Sequence, residues 1–157
     1  MKRRWLRWHS GQSMVEFAVL APVFFLLLLG ALDMGRAVYI YNTISDGARE
    51  GARAAIPYDN PLPNNGLVLG AVQSKLGGGF ALTTDPCSGQ PMTAVCPTAP
   101  TQPNTGYIWY SSGIGTSGRH PVTVKVSFLF QPWVPVVRDA AGNGFVISAE
   151  STMVTEY

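Results

Sequence analysis

From Phe17 to Leu32 the chain reads FAVLAPVFFLLLLGAL, sixteen consecutive residues without a charge, closed by Glu16 on one side and Asp33 on the other. A helix crossing a bilayer needs about 20 apolar residues. The run therefore spans if Ser13 to Val15 and Met34 extend it and the flanking polar chains snorkel. Pro22 lies inside it, where a neighbouring helix can satisfy the freed carbonyl, so the expected effect is a bend rather than an end. The helical pattern continues past Leu32 through DMGRAVYIYNTISDGAREGARAAI and stops at Pro57. Tyr41, Ile44, Ala48 and Ala55 fall on or near one stripe, and Gly47, Ala48, Gly51 and Ala52 form a small-residue face. Ser13 to Ile56 is 44 residues, which as one helix reaches about 66 Å at 1.5 Å per residue. That exceeds one bilayer crossing, so the outer half must pack on something: a head made by the same chain, or sister helices approaching through the small-residue face.

The pattern then changes. Prolines at 57, 61, 63, 86, 91, 97, 100 and 103 and the triple glycine at 77–79 mark residues 57–106 as a long connection, interrupted by one short helix near Leu67 to Leu76. TTDPCSGQPMTAVCPTAPTQPN within it is turn chemistry throughout. Three later segments read as strands. Tyr107 to Tyr110 is short and aromatic. Pro121 to Phe130 places Val122, Val124, Val126, Phe128 and Phe130 on one face, and Phe145 to Thr155 does the same with Phe145, Ile147, Ala149 and Met153. A small antiparallel sheet follows, its apolar face covered by the outer part of the long helix. Between the last two strands, QPWVPVVRDAAGNG carries Trp133, whose expected place is against its own sheet; contact with a partner or the outer leaflet is the alternative.

Charge gives the long helix a direction. Lys2, Arg3, Arg4 and Arg7 precede the first acidic residue, whereas 7 basic and 8 acidic residues follow Leu32. By the positive-inside rule the N-terminus is cytoplasmic and everything after about residue 35 is outside. The near-neutral body has no nucleic-acid footprint. A basic start and an apolar run also fit a cleaved secretory signal. However, the run is long for one, carries Glu16 at its front edge, and is followed by Gly30-Ala31-Leu32-Asp33 rather than a small-x-small cut site.

Cys87 and Cys96 are the only cysteines, eight residues lying between them. His9 and His120 are too distant in sequence to complete a metal site with them, so no metal is expected. Outside the cytoplasm a disulfide is the natural state, and closing so short a loop stabilises by roughly 2–3 kcal/mol in the chain-entropy account. Catalytic patterns are missing. There is no G-x-S-x-G, no His-Glu-x-x-His and no phosphate loop, since the triple glycine follows Lys75 instead of preceding a Lys-Ser/Thr pair. Asp33 and Arg36 read as an i, i+3 ion pair rather than a proton relay. Neither catalysis nor a cofactor is expected.

Glu16 is the anomaly, because a carboxylate at the mouth of a membrane helix is costly without a cation. It either sits at the headgroup level or finds a partner. Gly11-Gln12-Ser13-Met14-Val15-Glu16-Phe17 resembles the processing site of type IV prepilins, particularly the Flp/Tad branch, in which a membrane peptidase cuts after the Gly and leaves Glu at the fifth mature position. The resemblance implies a cut between Gly11 and Gln12. The new Gln12 amine would then pair with Glu16 of a neighbouring subunit. More broadly, Gly11 to Ala55 is similar to the TadE-like N-terminal domain of minor pilins or pseudopilins. Glu16-Phe17, the Pro22-containing run, the cluster of Asp33, Gly35 and Arg36, and Ala48 to Arg53 carry the likeness.

These readings together give an α+β, pilin-like protein in which a long transmembrane helix extends into a small antiparallel β-sheet head. Its divisions are a basic leader (1–11), a TadE-like membrane and stalk helix (12–56), a Pro/Gly-rich connection with a disulfide loop (57–106) and a sheet domain (107–157). The resemblance implies a minor pilin or pseudopilin for assembly or initiation of a Tad pilus, acting by helix association. Its implied partners are a prepilin peptidase, other Tad pilins or pseudopilins, the inner-membrane assembly platform and membrane lipid. The implied location is the cytoplasmic membrane, single-pass, with the head periplasmic or extracellular and association with the pilus itself a further prospect. The alternatives are a membrane-tethered extracytoplasmic binding module outside any filament, or a secreted domain freed by signal peptidase.

Overall fold

The computed structural model describes residues 10–56, 65–76, 79–90, 92–93, 95–111, 119–142 and 144–155. Most of the basic leader, the prolines at 57, 61, 63 and 91, and Gly77-Gly78 lie outside the described residues. One helix, α1 (Ser10–Ala55), runs 46 residues with Pro22 inside it. A second, α2 (Asn65–Leu76), lies where the short helix is expected. The sheet consists of β1 (Ala81–Thr84), β2 (Thr105–Tyr110), β3 (Pro121–Phe130) and β4 (Phe145–Val154), in that spatial order. A six-residue helix, α3 (Pro135–Ala140), joins β3 to β4.

The sheet is mixed, not purely antiparallel. β2–β3 and β3–β4 are antiparallel, with Val126 opposite both Ile108 and Ala149, but β1 pairs in parallel with β2, Leu82 opposite Gly106. β1 lies within the stretch expected to be connection and begins the run read as turns. Only four residues long with one buried side chain, it has too little alternation to stand out among its prolines and threonines. The parallel pairing requires the chain to return to its starting level between β1 and β2. It does so through the disulfide loop, with Cys87 and Cys96 bonded at 2.08 Å. Buried Asp85 fastens this loop by accepting the N–H groups of Cys87 and Thr98 at 2.7 and 2.8 Å. Trp109, 1% exposed, donates its indole N–H to the Cys87 carbonyl from the β2 side at 3.0 Å.

The core lies between one sheet face and the outer half of α1. Ile40, Ile44, Ala48, Ala52 and Ala55 meet Val68, Val72 and Leu76 of α2 and the even-numbered residues of β3, with Ile108 and Ala149 alongside. Ile40, rather than half-exposed Tyr41, heads the buried stripe, as the i, i+4 spacing to Ile44 and Ala48 requires. The strand alternation places the expected faces inward, and the other face of β3–β4 is polar along its middle, with Thr123 and Thr152 sharing a hydrogen bond at 2.8 Å and Lys125 opposite Glu150. Gly106 permits the closest approach in the sheet. A Cβ there would collide with the Ser127 carbonyl oxygen and the Leu82 side chain.

Candidate functional site

α1 divides into two halves with opposite surroundings. From Gly11 to Leu32 no side chain is buried, and Phe17, Leu20 and Leu27 are each about two-thirds exposed or more. From Asp33 onward the helix has a buried face. The first half is long and apolar enough to span a membrane. Such a continuous apolar surface far exceeds what a soluble monomer leaves open to water.

At the helix start, Gln12 and Glu16 lie one turn apart, and the Gln12 amide donates to the Glu16 carboxylate at 3.3 Å. Both are exposed, as are Gly11 and Phe17, and the space beside Gly11 is open. The four residues singled out at this end therefore share one short accessible stretch of helix.

The small-residue face is elsewhere and is occupied. A Cβ on Gly51 would lie 2.6 Å from a Val72 methyl and 3.2 Å from one on Val124; one on Gly47 would lie 3.3 Å from Val72. Ala48 and Ala52 are fully buried beside them. In this chain, Gly47, Ala48, Gly51 and Ala52 let α2 and β3 approach α1, so that face is turned to the chain's own head.

The two halves meet at Asp33. Its carboxylate is 5% exposed and accepts the backbone N–H groups of Trp133 at 2.9 Å and Val134 at 3.0 Å, a hundred residues away. Arg36 completes the arrangement, with its guanidinium 3.4 Å from the carboxylate, 4.0 Å from the Trp133 ring centre and 5.1 Å from that of Phe130. The local sequence explains why these donors are free. Val134 is extended and precedes Pro135 in the first turn of α3, so its N–H and that of Trp133 have no helical partner, and the distant carboxylate supplies the cap. Trp133 remains 68% exposed, stacked on Arg36 instead of packed into its own sheet. The Asp33–Arg36 pair was legible from i, i+3 spacing, but its long-range half was not. The only local hints were an acid directly after an apolar run and a Trp-Val-Pro segment with unpaired donors.

The matched family segment is nearly coextensive with α1. Residues 11–53 match the TadE-like protein family. The match covers a little over a quarter of the chain, from the glycine preceding Gln12 to the end of the small-residue face, and suggests a Tad pilus-associated protein. No curated protein and no solved structure matches the chain significantly. The TadE-like segment thus contains the exposed apolar half, the Glu16 end and Asp33 with Arg36, while the head that caps Asp33 lies outside the match.

Proposed function

We propose that this chain is a minor pilin or pseudopilin of the Tad pilus system, a non-catalytic component whose working part is the exposed half of α1. The observation that carries this reading is an apolar helix uncovered from Gly11 to Leu32, lying within the TadE-like segment and beginning with Gly11, Gln12, Glu16 and Phe17. In a membrane its cover is lipid; in an assembly its cover is the corresponding helices of other Tad pilins or pseudopilins.

The N-terminus is cytoplasmic and the head lies outside. A prepilin peptidase cuts between Gly11 and Gln12, removing the basic leader while the apolar helix stays attached. The new Gln12 amine pairs with Glu16 of an adjacent subunit, setting the axial register as subunits pass through the inner-membrane assembly platform. Low-dielectric surroundings strengthen this pair and penalise a carboxylate left without one. Geometry supports the roles: Gln12 and Glu16 occupy one exposed helical turn, free of contact with the head. Association occurs through this half because the Gly47–Ala52 face is filled by α2 and β3.

Replacing Glu16→Gln tests the pairing. Insertion should be unchanged while the number of pili per cell falls. Unaltered piliation in that variant would refute the pairing role, and unaltered piliation after deletion of the whole gene would favour a tethered module that never enters a filament.

A further inference from the structure

The apolar half of α1 only just matches a bilayer. With Glu16 paired inside the span, the stretch from Gln12 to Leu32 is 21 residues, about 32 Å of helix at 1.5 Å per residue, against a hydrocarbon core of about 30 Å. A bilayer of ordinary thickness therefore reaches the level of Asp33, where an isolated carboxylate would be costly. The head removes that cost. Asp33 is buried beneath the β3–β4 connection, with two backbone donors and Arg36 satisfying it.

The covering surface is itself apolar and open. Trp133 is 68% exposed and Val136 63%, with Val137 at 40% and Phe145 at 44%. They form a rim around the point where α1 enters the head. The two charges of α3, Arg138 and Asp139, pair with each other at 3.3 Å. Beneath the rim an apolar notch of about 160 Å³ is lined by Gly30 and Met34 of α1 and by Val137 and Phe145 of the head. The rim is therefore continuous with the apolar helix surface.

We propose that this rim is a membrane-contact surface. Trp133, Val136 and Phe145 seat in the interface of the leaflet from which α1 emerges, beside the point where the span ends, and fix the tilt of the head. The proposal rests on the reading that α1 crosses the bilayer. Lipid is the occupant because the patch adjoins the span, lies at the level of Asp33 where the span ends, and presents a tryptophan where the polar and apolar regions meet.

The test uses the full chain in nanodiscs, comparing wild type with Trp133→Phe so that the difference in emission isolates Trp133. Because Trp133 is exposed, the variant should fold. In lipid brominated near the headgroup, the Trp133 component should be quenched at least about twofold and be shielded from aqueous iodide, as expected for an interfacial ring. Emission that is unquenched by bromolipid and open to iodide would overturn the proposal, as would emission shielded from both, which would indicate a protein cover. Alkaline carbonate extraction of the same protein from vesicles separates the two levels. Release from the vesicles would defeat the spanning reading itself, whereas retention with an unquenched Trp133 would defeat the rim proposal alone.

Discussion

Replacing Asp33→Ala should loosen the head from the helix, and its magnitude can be worked from the contacts. The substitution removes the acceptor for the N–H groups of Trp133 and Val134 and leaves Val134, 5% exposed, with a buried unpaired donor. It also unpairs Arg36, whose side chain is 29% exposed, so that contact is partly screened by water. Hydrogen bonds to a charged acceptor contribute roughly 1.5–3 kcal/mol each, but they share one carboxylate and do not add fully, giving an expected loss of about 2–4 kcal/mol. For a head of this size the melting midpoint should fall by roughly 6–15 °C. The assay is thermal unfolding of the detergent-solubilised full chain by circular dichroism, with amide hydrogen exchange at Trp133 and Val134 as the local readout. Asp33→Asn, which keeps an acceptor oxygen but loses the charge, should fall between. Asp46→Ala provides the control, because the Asp46–Arg49 pair is two-thirds exposed on both sides and its removal should be nearly silent. An Asp33→Ala protein that melts like wild type, with unchanged exchange at the two amides, would refute the claim that this acid fastens the head.

Two further outcomes follow from the core. Gly51→Val should destabilise the head by roughly 1–3 kcal/mol, read by urea unfolding, because even its Cβ lies 2.6 Å from a Val72 methyl; an unaffected midpoint would mean that the small-residue face is not packed internally. Burial pushes the Tyr110 phenol above its ordinary pKa of 10.0. The folded state therefore holds that proton at pH values where the unfolded chain releases it, so this residue's contribution to stability should decline as pH rises past 10. Urea midpoints across that range should fall less steeply in Tyr110→Phe than in wild type.

Much of the fold is legible because its period is strong. The long helix follows from an unbroken apolar run and the stripe beyond it, the faces of β3 and β4 from alternation, and the short helix near Leu67 from helix-compatible spacing between proline and glycine clusters. β1 is missed because four residues among turn-forming neighbours carry no period, and its parallel partner is 24 residues further on. α3 is missed because its six residues include no buried side chain. At the candidate site, Glu16 stands out because a lone acid borders an apolar run, and that signal is local. The cap on Asp33 is not local. Spacing identifies Arg36 as its neighbour, but nothing in the chain foretells that a loop a hundred residues away will present two free N–H groups to it. Trp133 is misplaced for the same reason: its ring finds a guanidinium, where composition alone favours the sheet.

The central claim is that the peptide bond after Gly11 is cut while the apolar half of α1 stays with the head. Mass spectrometry of the N-terminus of the membrane-bound protein from cells containing the Tad prepilin peptidase tests it most directly. The account predicts a mature chain beginning at Gln12; a chain that begins at Met1, or one that begins beyond Leu32 and is found in the soluble fraction, would contradict it.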